Sequence, residues 1–386
     1  MLAKRNENVP ASEIRKVFNK VIGRTDVLDL TAGIPDFDTP DFVKEAAKKA
    51  IDEGYTRYTH NAGYIETREA MATKLKRDNG IIADPTDQIM MTAGGMGALV
   101  LANLVLVDPG DEVIYPDPGF VSHYAHIRLA EGIPVPIQLK KENNFGITAD
   151  DVEALVTDKT KMLLINSPNN PTGGVIDNDE LRKIAELAHE KDFYIVSDEA
   201  YEQFRYNDGH PTFIGSLPDM MERTVSIFSQ SKTYAMTGWR IAAATGPSDI
   251  IGAMIKLQEH LLAMPTSISQ KAAEAAVSGP QECVHEMLAT FRKRRDIITK
   301  GLNSIEGIEL KPPGGAFYVF PDISAYGMKS YDLMLRLMND AKVATIHGSA
   351  FGKYGEGFLR VCYAVSTERI EEALSRLDSY LPALLK

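Results

Sequence analysis

Ser226–Ala242, "SIFSQSKTYAMTGWRIA", decides how this chain is read. Its first residues continue a strand-like run from Thr224 to Phe228. The hydroxyl-rich Ser229-Gln230-Ser231 then leads to Lys232, with Arg240 eight positions further on. An amine set among hydroxyls and followed by a cation has the groups needed to form an imine with a carbonyl compound and to hold an anion beside it. By itself the stretch stays ambiguous, because most of the 42 Lys and Arg residues must be solvated surface charges.

Four other stretches bear on the same chemistry. In "TAGGMGALVLANLVLV", Thr92–Val107, glycines follow the strand-like Gln88 to Ala93 and open an apolar helical run. The free N–H groups and positive dipole end of such a helix can hold a phosphate, although a tight turn needing positive φ explains the glycines equally well. The spacing is not a dinucleotide fingerprint, since G-x-G-x-x-G is missing. In "LLINSPNNPTGG", Leu163–Gly174, prolines and glycines fix an irregular backbone at the carboxyl end of a strand, where open parallel sheets bind ligands, and so present Asn170 in one orientation.

In "FYIVSDEAYEQF", Phe193 to Ser197 reads as a buried strand with Asp198, Glu199 and Tyr201 at its mouth. Positions 198 and 201 would face opposite sides of a straight strand, so the chain must bend between them to bring both to one ligand. In "GEGFLRVCYAVS", Gly355–Ser366, Arg360 alternates with apolar residues. It is either an outward surface residue or a bidentate carboxylate clamp.

Taken in order, "LTAGIPDFDTP" (Leu30–Pro40), "YTHNAGYIETREA" (Tyr58–Ala70), "NSPNNPTG", "SDEAYE", "SQSKTYAMTGWR", "PPGGAFYVFPDIS" and "GSAFGKYGEGFLR" give the chain its resemblance to a family. Along nearly its whole length it resembles the pyridoxal-phosphate-dependent aminotransferases of fold type I, class I, and within them the aspartate and aromatic amino-acid branch. The resemblance implies that Lys232 links covalently to pyridoxal 5′-phosphate and later shuttles a proton at the substrate Cα, with a pKa lowered by imine formation and by the charge of Arg240. It implies that Asp198 pairs with the pyridine nitrogen, Tyr201 and Asn170 with the ring hydroxyl oxygen, and that Phe120 stacks on the ring. The phosphate falls to the backbone N–H groups of Gly95 and Met96, to Ser229 and to Arg240, with Tyr58 reaching it from a neighbouring subunit of a homodimer. Arg360 becomes the clamp on the substrate α-carboxylate, helped by Gly33 and Asn170.

The implied activity is transfer of an amino group from an L-amino acid (aspartate, aromatic or broad range) to a 2-oxo acid, 2-oxoglutarate, by a ping-pong mechanism. Two other readings are a β-lyase acting on cysteine-type substrates and a sensor that binds the cofactor without turnover. The family's departures here concern substrate choice. Met96 stands where some bacterial aspartate aminotransferases carry a lysine, His347 where proline is usual, and Tyr64-Ile65 where Ile-Pro or Leu-Pro is common. Met96 and Phe120 favour apolar or mixed substrates.

The expected fold class is α/β. Strand-like runs at 88–93, 112–115, 133–137, 161–166, 193–197, 224–228 and 241–245 predict a large domain, residues 46–280, with a mostly parallel mixed sheet covered by helices on both faces. An amphipathic helix from Gln281 then leads into a smaller α+β domain formed by residues 281–386 with the N-terminal segment 1–45. At 386 residues two domains are expected. A net charge of −11 argues against nucleic-acid or anionic-membrane partners.

Cys283 and Cys362 are too few for a disulfide framework, and Met1 to Asn8 is charged and polar, so a cytoplasmic location is expected. The longest apolar run, Ala98 to Val107, is about half the ~20 residues of a membrane span. Gly348–Tyr354 lacks P-loop spacing. His123 and His126, three apart, have no third ligand at zinc spacing, so no metal is expected.

Overall fold

Runs such as Met162-Leu163-Leu164-Ile165 have no polar face to offer solvent, so the strand they form must be covered on both sides. In the computed structural model, which describes residue 2, residues 4–206 and residues 209–385, this run lies in Thr160–Asn166 near the middle of a seven-stranded sheet. Alternate residues go to opposite faces: Met162 and Leu164 join one buried cluster, Leu163 and Ile165 another. The spatial strand order is Ile89–Thr92, Ala242–Thr245, Thr224–Ser229, Tyr194–Asp198, Thr160–Asn166, Glu112–Asp117, Ile133–Gln138. Ala242–Thr245 runs antiparallel to both neighbours and the other pairings are parallel, which makes the sheet mixed and mainly parallel.

Helices close both faces. Gly94–Leu106 is apolar around most of its circumference and lies against the sheet with Val121–Leu129 and Ser248–Leu262. Helix Asn178–Lys191 buries Leu181, Ile184 and Ala188 on the opposite face. Two smaller sheets lie outside this one. Leu28–Asp29 pairs in parallel with Val343–Ala344, tying the N-terminal segment to the C-terminal part of the chain. Leu359–Cys362 lies between Ile346–His347 and Tyr318–Val319, antiparallel to each. Among the described residues no helix is long and apolar enough to cross a membrane.

Helix Glu282–Asn303, expected from Gln281 onward, buries Phe291 completely, and its ring meets Phe37, Phe204 and Phe317 at centroid distances of 5.6, 5.2 and 5.2 Å. One side chain thus gathers the N-terminal segment, the turn after strand Tyr194–Asp198 and the segment before Tyr318. Phe291→Ala should cost about 3–5 kcal/mol through lost transfer energy plus a cavity, seen as a lower urea midpoint at fixed protein concentration. An unchanged midpoint would contradict this packing.

Candidate active site

Parallel strands that end side by side place their last side chains around one crevice. Asn166, Asp198 and Ser229 close three adjacent strands, with Asn166 in register with Asp198. The Asn166 amide donates to the Asp198 carbonyl at 2.9 Å, and its Oδ1 accepts from the Asn170 N–H at 2.9 Å. That pair of bonds fixes where the proline-rich loop leaves the sheet. After Asp198 the chain turns at once: its Oδ1 accepts from the Ala200 N–H at 3.2 Å, and residues 200–203 form the bend that carries Tyr201 to the same side.

A cavity of ≈ 260 Å³ opens there. Its lining includes Gly33, Gly95, Met96, Phe120 and Asn170, and also Asp198, Tyr201, Ser229, Lys232, Arg240 and Arg360. Every site residue anticipated from sequence therefore lines it except Tyr58, which is 86% exposed and lies outside. Arg360 is 2% exposed, which removes the surface-residue alternative. Its Nη1 donates to Asn170 Oδ1 at 3.0 Å and its Nη2 to the Thr31 carbonyl, while the guanidinium carbon lies 4.7 Å from the Tyr318 ring centre and 5.0 Å from that of Phe351. Glycine at 33 lets the backbone lie close to Tyr318, since a Cβ there would fall 2.2 Å from the Tyr318 hydroxyl and force that ring to shift.

Lys232 is half-buried, and its Nζ donates to the Gly33 carbonyl at 2.7 Å. Burial pushes its pKa down to about 8; Cys362 opposes the shift, and Arg360 and then Arg240 reinforce it. Sequence reasoning credits Arg240 and imine formation, whereas in the structure desolvation is the main cause and Arg360 precedes Arg240. At the other end, Gly94 has φ +73°, and a Cβ there would lie 2.5 Å from Arg240 Nη2, so that arginine crosses directly over the start of helix Gly94–Leu106. Ser229 caps the short helix Gln230–Thr233, its Oγ accepting from the Ser231 N–H at 3.3 Å.

Several groups at the site carry no sequence signal. His123, fully buried, places Nε2 3.2 Å from Asp198 Oδ2, and its ring meets Phe120 edge-on at 5.4 Å. Burial, with help from His123, pushes His126 down to about 4. The Tyr201 and Tyr318 hydroxyls lie 2.9 Å apart, and burial raises both pKa values. Ile14 also lines the cavity. Only the apolar end of a strand marks Asn166, and only its spacing of three from His126 marks His123; neither points to its partner.

The lowered pKa gives Lys232 a distinct reactivity. In protein stripped of carbonyl compounds, acylation at Lys232, followed by peptide mapping from about pH 6 to 11, should rise with a midpoint near 8. A midpoint near that of solvated lysines would contradict the burial of this amine.

A family model described as aminotransferase class I and II matches residues 25–377. The chain is 42% identical to an aspartate aminotransferase of Pyrococcus abyssi over 98% of each chain. It is 41% identical to aromatic-amino-acid aminotransferase 2 of Thermococcus litoralis, again over 98% of each. The solved structure of Thermus thermophilus aspartate aminotransferase with maleate matches with a TM-score of 0.93 at 37% identity, covering 98% of this chain and 99% of that one. The fold, the cavity at its strand ends and these likenesses agree: the chain belongs to the class I and II aminotransferases and is an aminotransferase.

Proposed function

We propose that this aminotransferase uses pyridoxal 5′-phosphate to move the amino group of an L-amino acid, in the aspartate, aromatic or broad range, to 2-oxoglutarate, with the first product leaving before the acceptor binds. The observation that carries this reading is a half-buried, poorly solvated amine of lowered pKa, Lys232, in one cavity with a buried carboxylate, Asp198. The donor set fits the cofactor. A carboxylate suits a protonated ring nitrogen, an amine suits a carbonyl, and the start of helix Gly94–Leu106 with Ser229 and Arg240 suits a phosphate. Glycine at 94 lets Arg240 approach the helix start closely, since a Cβ there would lie 2.5 Å from its Nη2.

When bound, the cofactor supplies an electron-withdrawing ring that stabilises negative charge at the substrate Cα. Lys232 would hold it covalently and, once free, take the Cα proton onto Nζ; a pKa of about 8 keeps part of this amine neutral near pH 7. Asp198 would keep the ring nitrogen protonated, with His123 holding the carboxylate in place. Tyr201 and Asn170 would meet the ring oxygen, Phe120 would cover a ring face, and the N–H groups of Gly95 and Met96 would join Ser229 and Arg240 at the phosphate. Arg360, with Gly33 and Asn170, would fix the α-carboxylate and so orient the Cα–H bond.

The exposure of Tyr58, together with exposed Leu261 and Leu262, favours a homodimer in which Tyr58 serves a second copy's phosphate site. The division into residues 46–280 and residues 1–45 plus 281–386, and a cytoplasmic location, belong to the same proposal. Ile14 and Met96 in the lining favour apolar side chains.

A half-reaction screen of L-amino acids against the cofactor-loaded enzyme tests this reading. Spectral conversion of bound cofactor with release of the matching 2-oxo acid is expected, and pyruvate and ammonia released without an acceptor would instead indicate a β-lyase. Asp198→Asn should retain the cofactor yet slow the half-reaction about 100-fold, and near-normal rates would remove its electrostatic role. Arg360→Leu should raise KM roughly 10- to 100-fold for every amino acid through loss of charge-assisted hydrogen bonds, and an effect on one substrate alone would reassign it to side-chain recognition.

A further inference from the structure

Arg205 is an arginine that the sequence does not single out, and its side chain is 11% exposed while that of its partner Glu199 is 4% exposed. Neither lines the cavity, and the roles assigned above use neither. Around Arg205 three chain segments converge. Its backbone bridges Gly315; the Tyr206 N–H donates to the Gly314 carbonyl at 2.9 Å, the Ala316 N–H to Phe204 at 2.8 Å, and the Gly315 N–H to Gly173 at 3.0 Å. The junction is tight enough that a Cβ on Gly315 would fall 2.3 Å from Pro168 Cγ. The Arg205, Gly315 and Gly173 segments supply the cavity with Tyr201, Tyr318 and Asn170 respectively.

The guanidinium joins two of them directly. Nη2 donates to the Ser167 carbonyl at 2.7 Å and lies 3.8 Å from Glu199 Oε2, while Glu199 Oε1 accepts from Ser197 Oγ at 2.5 Å. Ser167 starts the loop that carries Asn170, and Glu199 directly follows Asp198. Among the described residues the Arg205 Nε and Glu199 Oε2 atoms have no hydrogen-bond partner, and the guanidinium carbon lies 5.5 Å from the Phe213 ring centre. A buried ion pair that is only partly satisfied stabilises a fold less than apolar residues of similar volume would, so stability alone does not account for it. Burial raises the Glu199 carboxyl to about 7, against the pull of Arg205. What the pair does supply is a fixed spacing between the two loops.

We propose that Arg205 is a positioning residue for transamination: by bridging the Ser167 carbonyl and Glu199 it sets the distance between the ring-binding Asp198 and the Asn170–Arg360 carboxylate clamp. The inference rests on the roles given to Asp198 and Asn170 above. Such a residue acts on both cofactor and substrate without touching either, and small misplacements of a bound substrate are costly.

The test uses full-length enzyme and compares Arg205→Lys, Arg205→Leu and the Arg205→Leu/Glu199→Gln pair with unsubstituted protein. It reads KM, kcat, the dissociation constant for pyridoxal phosphate and the thermal midpoint of the cofactor-free form. Lysine keeps a cation opposite Glu199 but lacks the fork to reach both partners. Arg205→Lys is therefore expected to keep its midpoint within about 3 °C while KM for every amino acid rises about fivefold and cofactor binding weakens. Arg205→Leu should lower the midpoint as well, because it strands a buried carboxylate. Adding Glu199→Gln should restore the midpoint but not KM.

Wild-type KM and cofactor affinity in Arg205→Lys, or recovery of KM along with the midpoint in the double variant, would overturn the proposal and leave a structural ion pair. Failure of the unsubstituted enzyme to bind pyridoxal phosphate would overturn the cofactor reading and this inference with it. The variant outcomes bear on Arg205 alone.

Discussion

The structure depends on keeping a poorly solvated amine and a buried carboxylate in one cavity without letting them neutralise each other. Lys232 donates to the Gly33 carbonyl, whereas Asp198 is held by His123 and the Ala200 N–H, and the two form no salt bridge. Opposite charges in a poorly solvated space attract strongly, so separate partners are needed to hold them apart. The parallel strands supply that separation. Asp198 ends Tyr194–Asp198, Lys232 follows Thr224–Ser229 by one helical turn, and Gly33 arrives on the N-terminal segment. The fold's contribution to chemistry is thus to keep both groups poorly solvated, and so reactive, while denying them each other.

The same economy shapes the cationic side of the cavity. Arg360 is engaged with Asn170 and Thr31 and covered by Tyr318 and Phe351, so its guanidinium is oriented before any carboxylate arrives. Arg240, by contrast, is exposed and lies over the glycine start of a helix. One cation is fixed and buried; the other is open, donates to the Thr237 carbonyl at 3.0 Å and lies beside the glycine start of a helix. This asymmetry is what the proposed function uses in giving the two ends of the cavity different anions.

Much of the site was legible in the sequence through the motifs that carry the family resemblance, and part of it because its residues stand where strands stop. Apolar runs ending in Asn166, Asp198 and Ser229 place those side chains at the sheet's carboxyl edge, and glycines before an apolar helix mark Gly94 to Met96. The expected strands differ from the observed ones by one or two residues at their ends, where pairing rather than composition decides the boundary. What sequence did not reveal is lateral. His123 meets Asp198 across 75 positions, and Tyr318 meets Tyr201 across 117, contacts that no local periodicity encodes. Arg205 looks solvated because an arginine beside Tyr206 and Asn207 carries no sign of the Gly315 segment that covers it. Arg360 shows the converse: alternation alone pointed to the surface, and the packing of Tyr318 and Phe351 accounts for its burial.

The central claim is that Lys232 is the amine that takes the cofactor. Borohydride reduction of the protein after incubation with pyridoxal phosphate, followed by peptide mapping, tests it most directly. The account predicts one pyridoxyl adduct, on Lys232; an adduct on a different lysine, or none with excess cofactor, would contradict it.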